Sequence, residues 1–312
     1  MKELAKKKLI KKEATSLNKI IDQIQNSDCK AVSFDVFDTL IKRNIRSPED
    51  IFKVLEIQFN KFFGKSLSIS LLRKKAEAKA NANSPDEDVT LDEIYAEFEQ
   101  VSDEERKWLR NKEIFLERNL CQKNLRMYDI YDWCLKNGKR IFIISDMYLP
   151  VDIVKEILHD GGYHDYSNLY LSNEQKARKT TGSLFEIALK KERLKASEVV
   201  HIGDALKGDY LIPKSMGIHA ILIYRDNLDT VYFNKQILMS KDTQSANNYN
   251  IVNSFIRNNE NPNYSFFEKV GFEIVGPVLY GYCKWLTQRL KEQRISKVFF
   301  SGKRGGYVGK GI

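Results

Sequence analysis

Two acidic residues and a threonine follow directly after a short apolar run near the start of the chain. The run is Ala31-Val32-Ser33-Phe34, and Asp35, Asp38 and Thr39 come within the next turn. Such a run is typical of a buried strand, and ligands of a parallel sheet bind just beyond the carboxyl ends of its strands. A carboxylate at that edge can ligate a hard cation or act as a nucleophile. Because Asp and Thr are also ordinary helix caps, this stretch alone leaves both interpretations open.

Polar residues stand in the same position after two later apolar runs. Residues 141–144 are followed by Ser145-Asp146, and residues 199–202 are followed by Gly203-Asp204, with Asp209 shortly beyond. Lys179 lies between these two runs, inside a short basic segment. Each residue has an ordinary explanation by itself, but all of them follow candidate strands in one order along the chain. Their position after candidate strands is that of ligand-binding residues at the carboxyl ends of a parallel sheet.

The elements that would position these residues alternate between strand and helix. Apolar segments predict strands at 31–34, 141–144, 168–171, 199–202 and 218–223, and amphipathic segments such as 151–159 and 184–194 predict helices between them. Strands that are apolar throughout are typical of a parallel sheet covered on both faces. The predicted fold class is therefore α/β, a doubly wound parallel sheet.

A long helical stretch interrupts this alternation. Helix-start signals at Ser47-Pro48 and at Thr90 with Glu93 predict that 45–137 is mostly helix, inserted as a lid into a core formed by 28–44 and 138–226. Glu113 and Glu117 lie one turn apart in it, and we expect a solvated or ion-paired face there. A basic amphipathic helix is predicted at 1–27, a linker at 227–262, and the start of a truncated second α/β unit at 263–312.

Composition limits the class of protein. The 312 residues, 42% of them hydrophobic, allow about two domains with a sizeable core. No apolar run approaches the roughly 18 residues of a membrane helix. Four scattered cysteines without metal spacing indicate a cytoplasmic protein with reduced thiols, and His201 is expected in the core. The charge of +9 suits anionic substrates, but no nucleic-acid motif accompanies it. The glycine-rich tail at 301–312 fails the phosphate-loop template.

The ordered segments together resemble the haloacid-dehalogenase (HAD) superfamily of hydrolases over about residues 30–225. The sequence motifs at residues 33–40, 144–149 and 201–204 resemble those of a bacterial subgroup that is associated with glycosyltransferases of surface-polysaccharide synthesis. The resemblance implies a Rossmann-like core with a helical cap, and a first strand flanked by those that end at Ser145 and Asp204. It also implies a Mg2+-dependent hydrolase of the phosphatase type, acting on a small phosphorylated metabolite such as a sugar phosphate, with a glycosyltransferase as partner or fused domain.

The resemblance also implies roles for individual residues. Asp35 would be the nucleophile and form an aspartyl-phosphate. Mg2+ would be held by Asp35, the main-chain carbonyl of Phe37, and Asp204 or Asp209. The catalytic and phosphate-binding set would comprise Asp35, Thr39, Ser145, Asp146 and Lys179. Lys176 is the alternative to Lys179, which the following Thr180-Thr181-Gly182 favours.

One position departs from the pattern of phosphatases in that superfamily. They carry a second aspartate two residues after the nucleophile as general acid and base, and this chain has Phe37 there. Asp38 follows where a glycine is usual. A missing general acid typically costs about 10²–10⁴ in rate. Two alternatives therefore stay open: a catalytically weak or inactive module that supports a polysaccharide-assembly glycosyltransferase, and a phosphotransferase.

Overall fold

The computed structural model describes residues 17–223, 243–259, 264–295 and 297. Its centre is a five-stranded parallel sheet in the order β5-β4-β1-β6-β7. The strands are β1 (Ala31–Phe34), β4 (Arg140–Ser145), β5 (Leu169–Leu171), β6 (Val199–Gly203) and β7 (His219–Leu222). The first strand is central, between β4 and β6, as the resemblance implies. The predicted α/β class with a parallel sheet is confirmed.

Successive residues of the central strands point to opposite faces, and both faces are covered. In β4, Ile141 and Ile143 pack into one apolar cluster, whereas Phe142 and Ile144 pack into the other. Helices α6 (Leu125–Lys136) and α9 (Ser183–Glu192) contact β4. The remaining core helices are α1 (Leu17–Gln25), α7 (Val151–Asp160), α8 (Ser172–Gln175) and α10 (Ile212–Ser215). Burial on both faces explains why these strands carry apolar residues throughout.

A helical block separates β1 from β4 in the sequence. It comprises α2 (Asp50–Phe63), α3 (Ile69–Asn83), α4 (Leu91–Ala96) and α5 (Asp103–Leu120). The chain enters and leaves the block through an antiparallel ribbon of β2 (Ile41–Arg43) and β3 (Cys121–Lys123). Helix α6 contacts α1 and β4, so the last part of the predicted 45–137 insert packs on the sheet.

Two glutamates of α5 that we expected on a solvated or ion-paired face are fully buried ion pairs. Arg73 donates to both oxygens of Glu113 at 2.9 Å, and Arg43 donates to Glu117 at 3.0 Å. Both carboxylates are at most 1% exposed. The solvated alternative is therefore wrong, because arginines from other elements accompany the glutamates into the interior.

The segment that we expected to be a linker, 227–262, contains a helix in its described part. Helix α11 (Thr243–Asn258) packs on α2, and Asn250 bonds both the Arg46 amide and the Asp50 carboxylate. Asn250 therefore serves as a contact residue and not as a turn former.

Residues from Asn259 onward form a separate compact unit, whose described elements are α12 (Phe266–Val270), a π-helical turn (Gly271–Val275) and α13 (Gly276–Glu292). Residues 1–16 of the predicted basic helix and the glycine-rich tail at 301–312 lie outside the described residues. No helix among the described segments has the length and apolar character to cross a membrane.

Candidate active site

Three neighbouring strands bring their polar carboxyl ends to one place. Phe34, the last residue of β1, pairs with Ile143 of β4 and Ile202 of β6. Asp35 continues the ladder, since its amide donates to the Ile202 carbonyl at 3.0 Å. Ser145 ends β4, and Asp204 follows Gly203 at the end of β6. The sheet order alone therefore makes residues 110 or more positions apart in sequence into neighbours.

A buried lysine joins two of these carboxylates. The Lys179 ammonium donates to Asp35 Oδ1 and to Asp209 Oδ1, each at 2.6 Å. The Ser145 hydroxyl donates to the same Asp35 oxygen at 3.2 Å. All four side chains are buried. Lys176, the alternative, lies away from this cluster and pairs with Glu93 at 3.1 Å.

Three carboxylates of this cluster converge. Asp35, Asp204 and Asp209 each offer an oxygen within 4.8 Å of the others. With Lys179 they leave two negative charges if all are ionised, which a divalent cation would cancel. Oxygen ligands of this kind suit Mg2+. The residues present therefore fit the predicted Mg2+, which Asp35, Asp204 and Asp209 would hold.

Gly203 gives Asp209 its room. A Cβ at position 203 would lie 2.5 Å from Asp209 Oδ2, which is closer than such contacts occur. The Asp209 oxygens are also held by the chain: Oδ2 accepts from the Ala205 amide at 2.9 Å, and Oδ1 accepts from Lys179. The absence of a side chain at Gly203 is therefore what allows Asp209 to occupy its position in the site.

Burial and charge set the protonation of the site. Burial raises the pKa of the Asp35 carboxyl, although Lys179 opposes this shift. Burial also disfavours the charged form of Asp209, but Lys179 and His201 together hold its pKa well below the usual range. The pKa of Lys179 lies far above its usual value, because Asp35 and Asp209 outweigh the cost of burying its charge. Lys179 therefore stays an ammonium that stabilises negative charge and is a poor proton donor.

His201 extends the cluster into the sheet. Its Nε2–H donates to Asp209 Oδ1 at 3.2 Å, and its Nδ1 lies 2.8 Å from the Ser33 hydroxyl oxygen. His201 is fully buried and packs edge-on against Phe185. The expected core position is what the structure has, but its bond to Asp209 gave no signal in the sequence.

The position two residues after Asp35 is filled by an apolar ring under a cation. The Arg43 guanidinium lies 4.1 Å from the centroid of the Phe37 ring, and Arg43 also faces Asp38 at 3.8 Å. Asp38 has a positive φ of 62°, a backbone conformation that favours glycine. Its carboxylate is directed to Arg43, so the sequence offset does turn this side chain to another partner.

Two residues of the predicted phosphate-binding set have other surroundings. Asp146 accepts the Lys179 amide N–H at 2.9 Å, and burial raises its pKa. Its contact is thus with the backbone of the lysine. The Thr39 hydroxyl is buried without a hydrogen-bond partner in the described structure, while its carbonyl accepts from Asn124. The geometry joins Asp35, Ser145, Lys179, Asp204 and Asp209, and it adds Asp146 through the lysine backbone.

Fold and site together define a doubly wound α/β protein with a carboxylate–lysine centre at the carboxyl edge of its sheet. No family model matches the chain, and no curated protein matches it either. Several solved structures are similar to it. A haloacid dehalogenase-like hydrolase from Xanthomonas campestris is 13% identical, with a TM-score of 0.47 over 72% of this chain and 91% of that one.

Two further solved structures have comparable similarity. The HAD-hydrolase YfnB from Bacillus subtilis, described as bound to magnesium, is 15% identical, with a TM-score of 0.44 over 61% of this chain and 86% of that one. A HAD phosphatase from Thermococcus onnurineus is 17% identical, also with a TM-score of 0.44, over 64% of this chain and 87% of that one. These likenesses concern the fold.

Proposed function

We propose that this protein is a Mg2+-dependent HAD-like hydrolase of the phosphatase type, which transfers a phosphoryl group to Asp35 and then to water. One observation carries the proposal: a buried lysine bridges Asp35 and Asp209 where Asp204 also converges. Phosphoryl transfer needs a nucleophile and positive charge around the transferring group, and this cluster supplies both.

The chain's own residues divide the reaction into two steps. Lys179 and Ser145 both bond Asp35 Oδ1, so we assign the attack on phosphorus to Oδ2. The new Asp35–phosphorus bond forms as the bond from phosphorus to the leaving oxygen breaks. Water then cleaves the aspartyl-phosphate, which releases phosphate and restores the carboxylate. The ammonium of Lys179 stabilises the charge that develops on the phosphoryl oxygens.

The predicted cation would add charge neutralisation. Bound by Asp35, Asp204 and Asp209, a divalent ion lowers the repulsion between these carboxylates and a phosphate dianion. We also propose that the main-chain carbonyl of Phe37 would be a ligand of this cation.

The helical block favours a small substrate. Its residue Leu91 donates an amide hydrogen bond to the Tyr148 carbonyl at 2.8 Å, just after the end of β4, and Glu87 of the block accepts from the amide of Arg178, the residue before Lys179. The block therefore lies close to the site and would limit access by macromolecules. A small phosphorylated metabolite, such as a sugar phosphate, fits this enclosure. The glycosyltransferase partner and the cytoplasmic location stay predictions from the sequence.

A second candidate rests on Phe37. A domain that keeps the nucleophile, the lysine and the carboxylates but places a phenyl ring under Arg43 could bind phosphate without efficient turnover. Beryllium fluoride, which mimics a phosphoryl group on aspartate, separates the capacity to form the intermediate from turnover. Product analysis with sugar acceptors separates hydrolysis from phosphotransfer.

Release of phosphate from a panel of phosphorylated metabolites, with and without Mg2+, tests the main proposal. The wild-type protein should release phosphate only with Mg2+, and Asp35→Asn should release none above background. Asp92→Asn, which changes an exposed carboxylate of the helical block, is the matched control and should keep the wild-type rate. Equal release by the wild type and Asp35→Asn would end this proposal.

A further inference from the structure

The helical block forms hydrogen bonds and ion pairs with the loop that carries Lys179. We call residues 176–182, between α8 and α9, the lysine loop, and Asp86-Glu87-Asp88, between α3 and α4, the acidic segment. Short hydrogen bonds and ion pairs connect the two, although they lie about 90 positions apart in the sequence. The acidic segment meets a basic one here, so their contact has complementary charge.

Glu87 gathers three donors from the lysine loop and its exit. Its Oε2 accepts the Arg178 amide at 2.8 Å, the Thr181 hydroxyl at 2.6 Å and the Ser183 hydroxyl at 2.6 Å. Ser183 and Thr181 hold the pKa of this carboxyl below its usual range, although the side chain is exposed. One carboxylate of the block thus fixes both ends of the turn around Lys179.

Asp88 holds the same loop through a side chain. Arg178 donates to Asp88 Oδ1 at 2.7 Å and to the side-chain Oδ1 of Asn81 at 2.6 Å. Asp88 is buried. The Arg178 side chain is 36% exposed, so the pair is half-buried and fixes the position of the lysine loop more than it adds stability.

Two successive amides of the lysine loop are held by carboxylates from different parts of the fold. Glu87 of the helical block accepts from Arg178 N, and Asp146 at the end of β4 accepts from Lys179 N at 2.9 Å. The Lys179 backbone is thereby fixed between the sheet and the block. Its ammonium must reach Asp35 and Asp209 at once, which leaves little tolerance for displacement.

We propose that Glu87 and Asp88 are positioning residues for Lys179, through which docking of the helical block completes the active site. The proposal rests on the proposed phosphatase function. Both carboxylates contact the lysine loop, so we assign their effect on the reaction to the position of Lys179. Displacing a catalytic group by about 1 Å costs on the order of 10²-fold in rate. Removal of the contacts that Glu87 and Asp88 make with the lysine loop should therefore lower kcat by about 10- to 100-fold.

The first measurement is steady-state kinetics of Glu87→Ala, Asp88→Ala and the double variant, with acetyl phosphate as substrate. We expect kcat to fall by about 10- to 100-fold, while the Mg2+ concentration at half-maximal rate changes less than about threefold, because the carboxylates of the cation site are untouched. Thermal unfolding checks that each variant folds. The control is Glu99→Ala, which removes an exposed carboxylate that pairs with Lys79 inside the block and should keep wild-type kinetics.

The second measurement does not depend on activity. Hydrogen–deuterium exchange of a peptide that covers 176–183 should rise at least tenfold in Glu87→Ala and stay unchanged in Glu99→Ala. Charge exchange, Asp88→Arg with Arg178→Asp, should restore part of the kcat that either single change loses, since the ion pair is re-formed with its ends interchanged.

The outcomes separate the two proposals. Unchanged exchange in the lysine loop, or faster exchange with wild-type kcat, overturns the positioning role. A wild-type protein that neither hydrolyses acetyl phosphate nor binds beryllium fluoride with Mg2+ overturns the proposed function and the positioning role with it, while the exchange data then report docking alone.

Discussion

Phe37→Asp is the most informative single change, because the phenyl ring of Phe37 cannot act as a general acid and a carboxyl at the same position can. If the proposed reaction holds, the wild-type protein should handle substrates according to their leaving groups. An acetate ion leaves acetyl phosphate as a stable anion, whereas a sugar alkoxide needs a proton as its bond to phosphorus breaks. The wild type should therefore prefer acetyl phosphate strongly over sugar phosphates.

The size of the effect follows from the surroundings of position 37. A well-placed general acid contributes about 10²–10⁴ in rate, which is about 2.7–5.4 kcal/mol in activation free energy. The Arg43 guanidinium lies 4.1 Å from the Phe37 ring centroid, so a carboxyl introduced there would have a lowered pKa and would carry its proton in only a small fraction of molecules at neutral pH. We therefore expect about a 10- to 100-fold gain in kcat/KM for sugar phosphates and less than about threefold for acetyl phosphate.

Phe37→Asn is the matched control. It removes the same buried ring and has nearly the same shape as the aspartate variant, so both should lose similar stability, about 3 kcal/mol for a buried phenylalanine. It has no carboxyl proton. Phosphate release by the three proteins with each substrate, at constant Mg2+, gives the comparison. An equal gain in both variants, or a gain that is as large with acetyl phosphate, would refute the reasoning.

Three more predictions follow from the buried contacts. Gly203→Ala should weaken Mg2+ binding at least tenfold in calorimetric titration, because the new methyl group would displace Asp209. Glu113→Gln should cost about 3 kcal/mol and lower Tm by about 10 °C, since the buried Arg73 loses its two-bond partner and keeps only the partly exposed Glu77. Asp35→Asn should raise the Tm of the metal-free protein at pH 7. Burial raises the pKa of the Asp35 carboxyl in the folded protein above its unfolded value, so its ionisation lowers stability as the pH rises past that unfolded value. The gain in Tm of Asp35→Asn should therefore vanish below about pH 4, where the carboxyl is protonated in both states.

Each of these has a control in the same chain. Gly208→Ala adds a methyl group that meets only ordinary contacts at 3.6 Å, so Mg2+ binding should persist. Glu99→Gln breaks only an exposed ion pair and should cost less than about 1 kcal/mol. The difference in Tm between Asp92→Asn and the wild type should stay nearly constant as the pH changes. Matching results between a variant and its control would contradict the corresponding prediction.

The sheet and most of the central site could be predicted because their signals are local. Each strand is a short apolar run that ends in a polar residue, and parallel pairing then forces the ends of β1, β4 and β6 together. Lys179 could be selected over Lys176 from the residues that follow it. The strands need only the alternation of elements and the rule that parallel strands carry ligands at their carboxyl ends, whereas the order of the strands and the choice of Lys179 came from the resemblance to the HAD superfamily.

The parts that the sequence did not indicate depend on partners far along the chain. The sequence left open whether Glu113 is solvated or ion-paired, because its arginine lies 40 positions away. The asparagines of α11 suggested a linker because such residues favour turns, and Asn250 gained its role only through Asp50, 200 positions away. The acidic and basic segments around Glu87 and Arg178 did offer a signal, namely opposite charge in two loops, but many loops of opposite charge never meet.

The central place of β1 also has a consequence for the order in which the chain assembles. The strand pairs on both sides, yet its partner residue in β4 lies more than a hundred positions on, and its partner in β6 lies still farther. Closing such long loops costs entropy before any ladder bond forms, and distant pairings slow folding. The helices between them contact mainly their neighbours. We therefore expect the helical block to fold early and the strand before Asp35 to pair late, so that the carboxylate–lysine cluster is among the last features of the molecule to form.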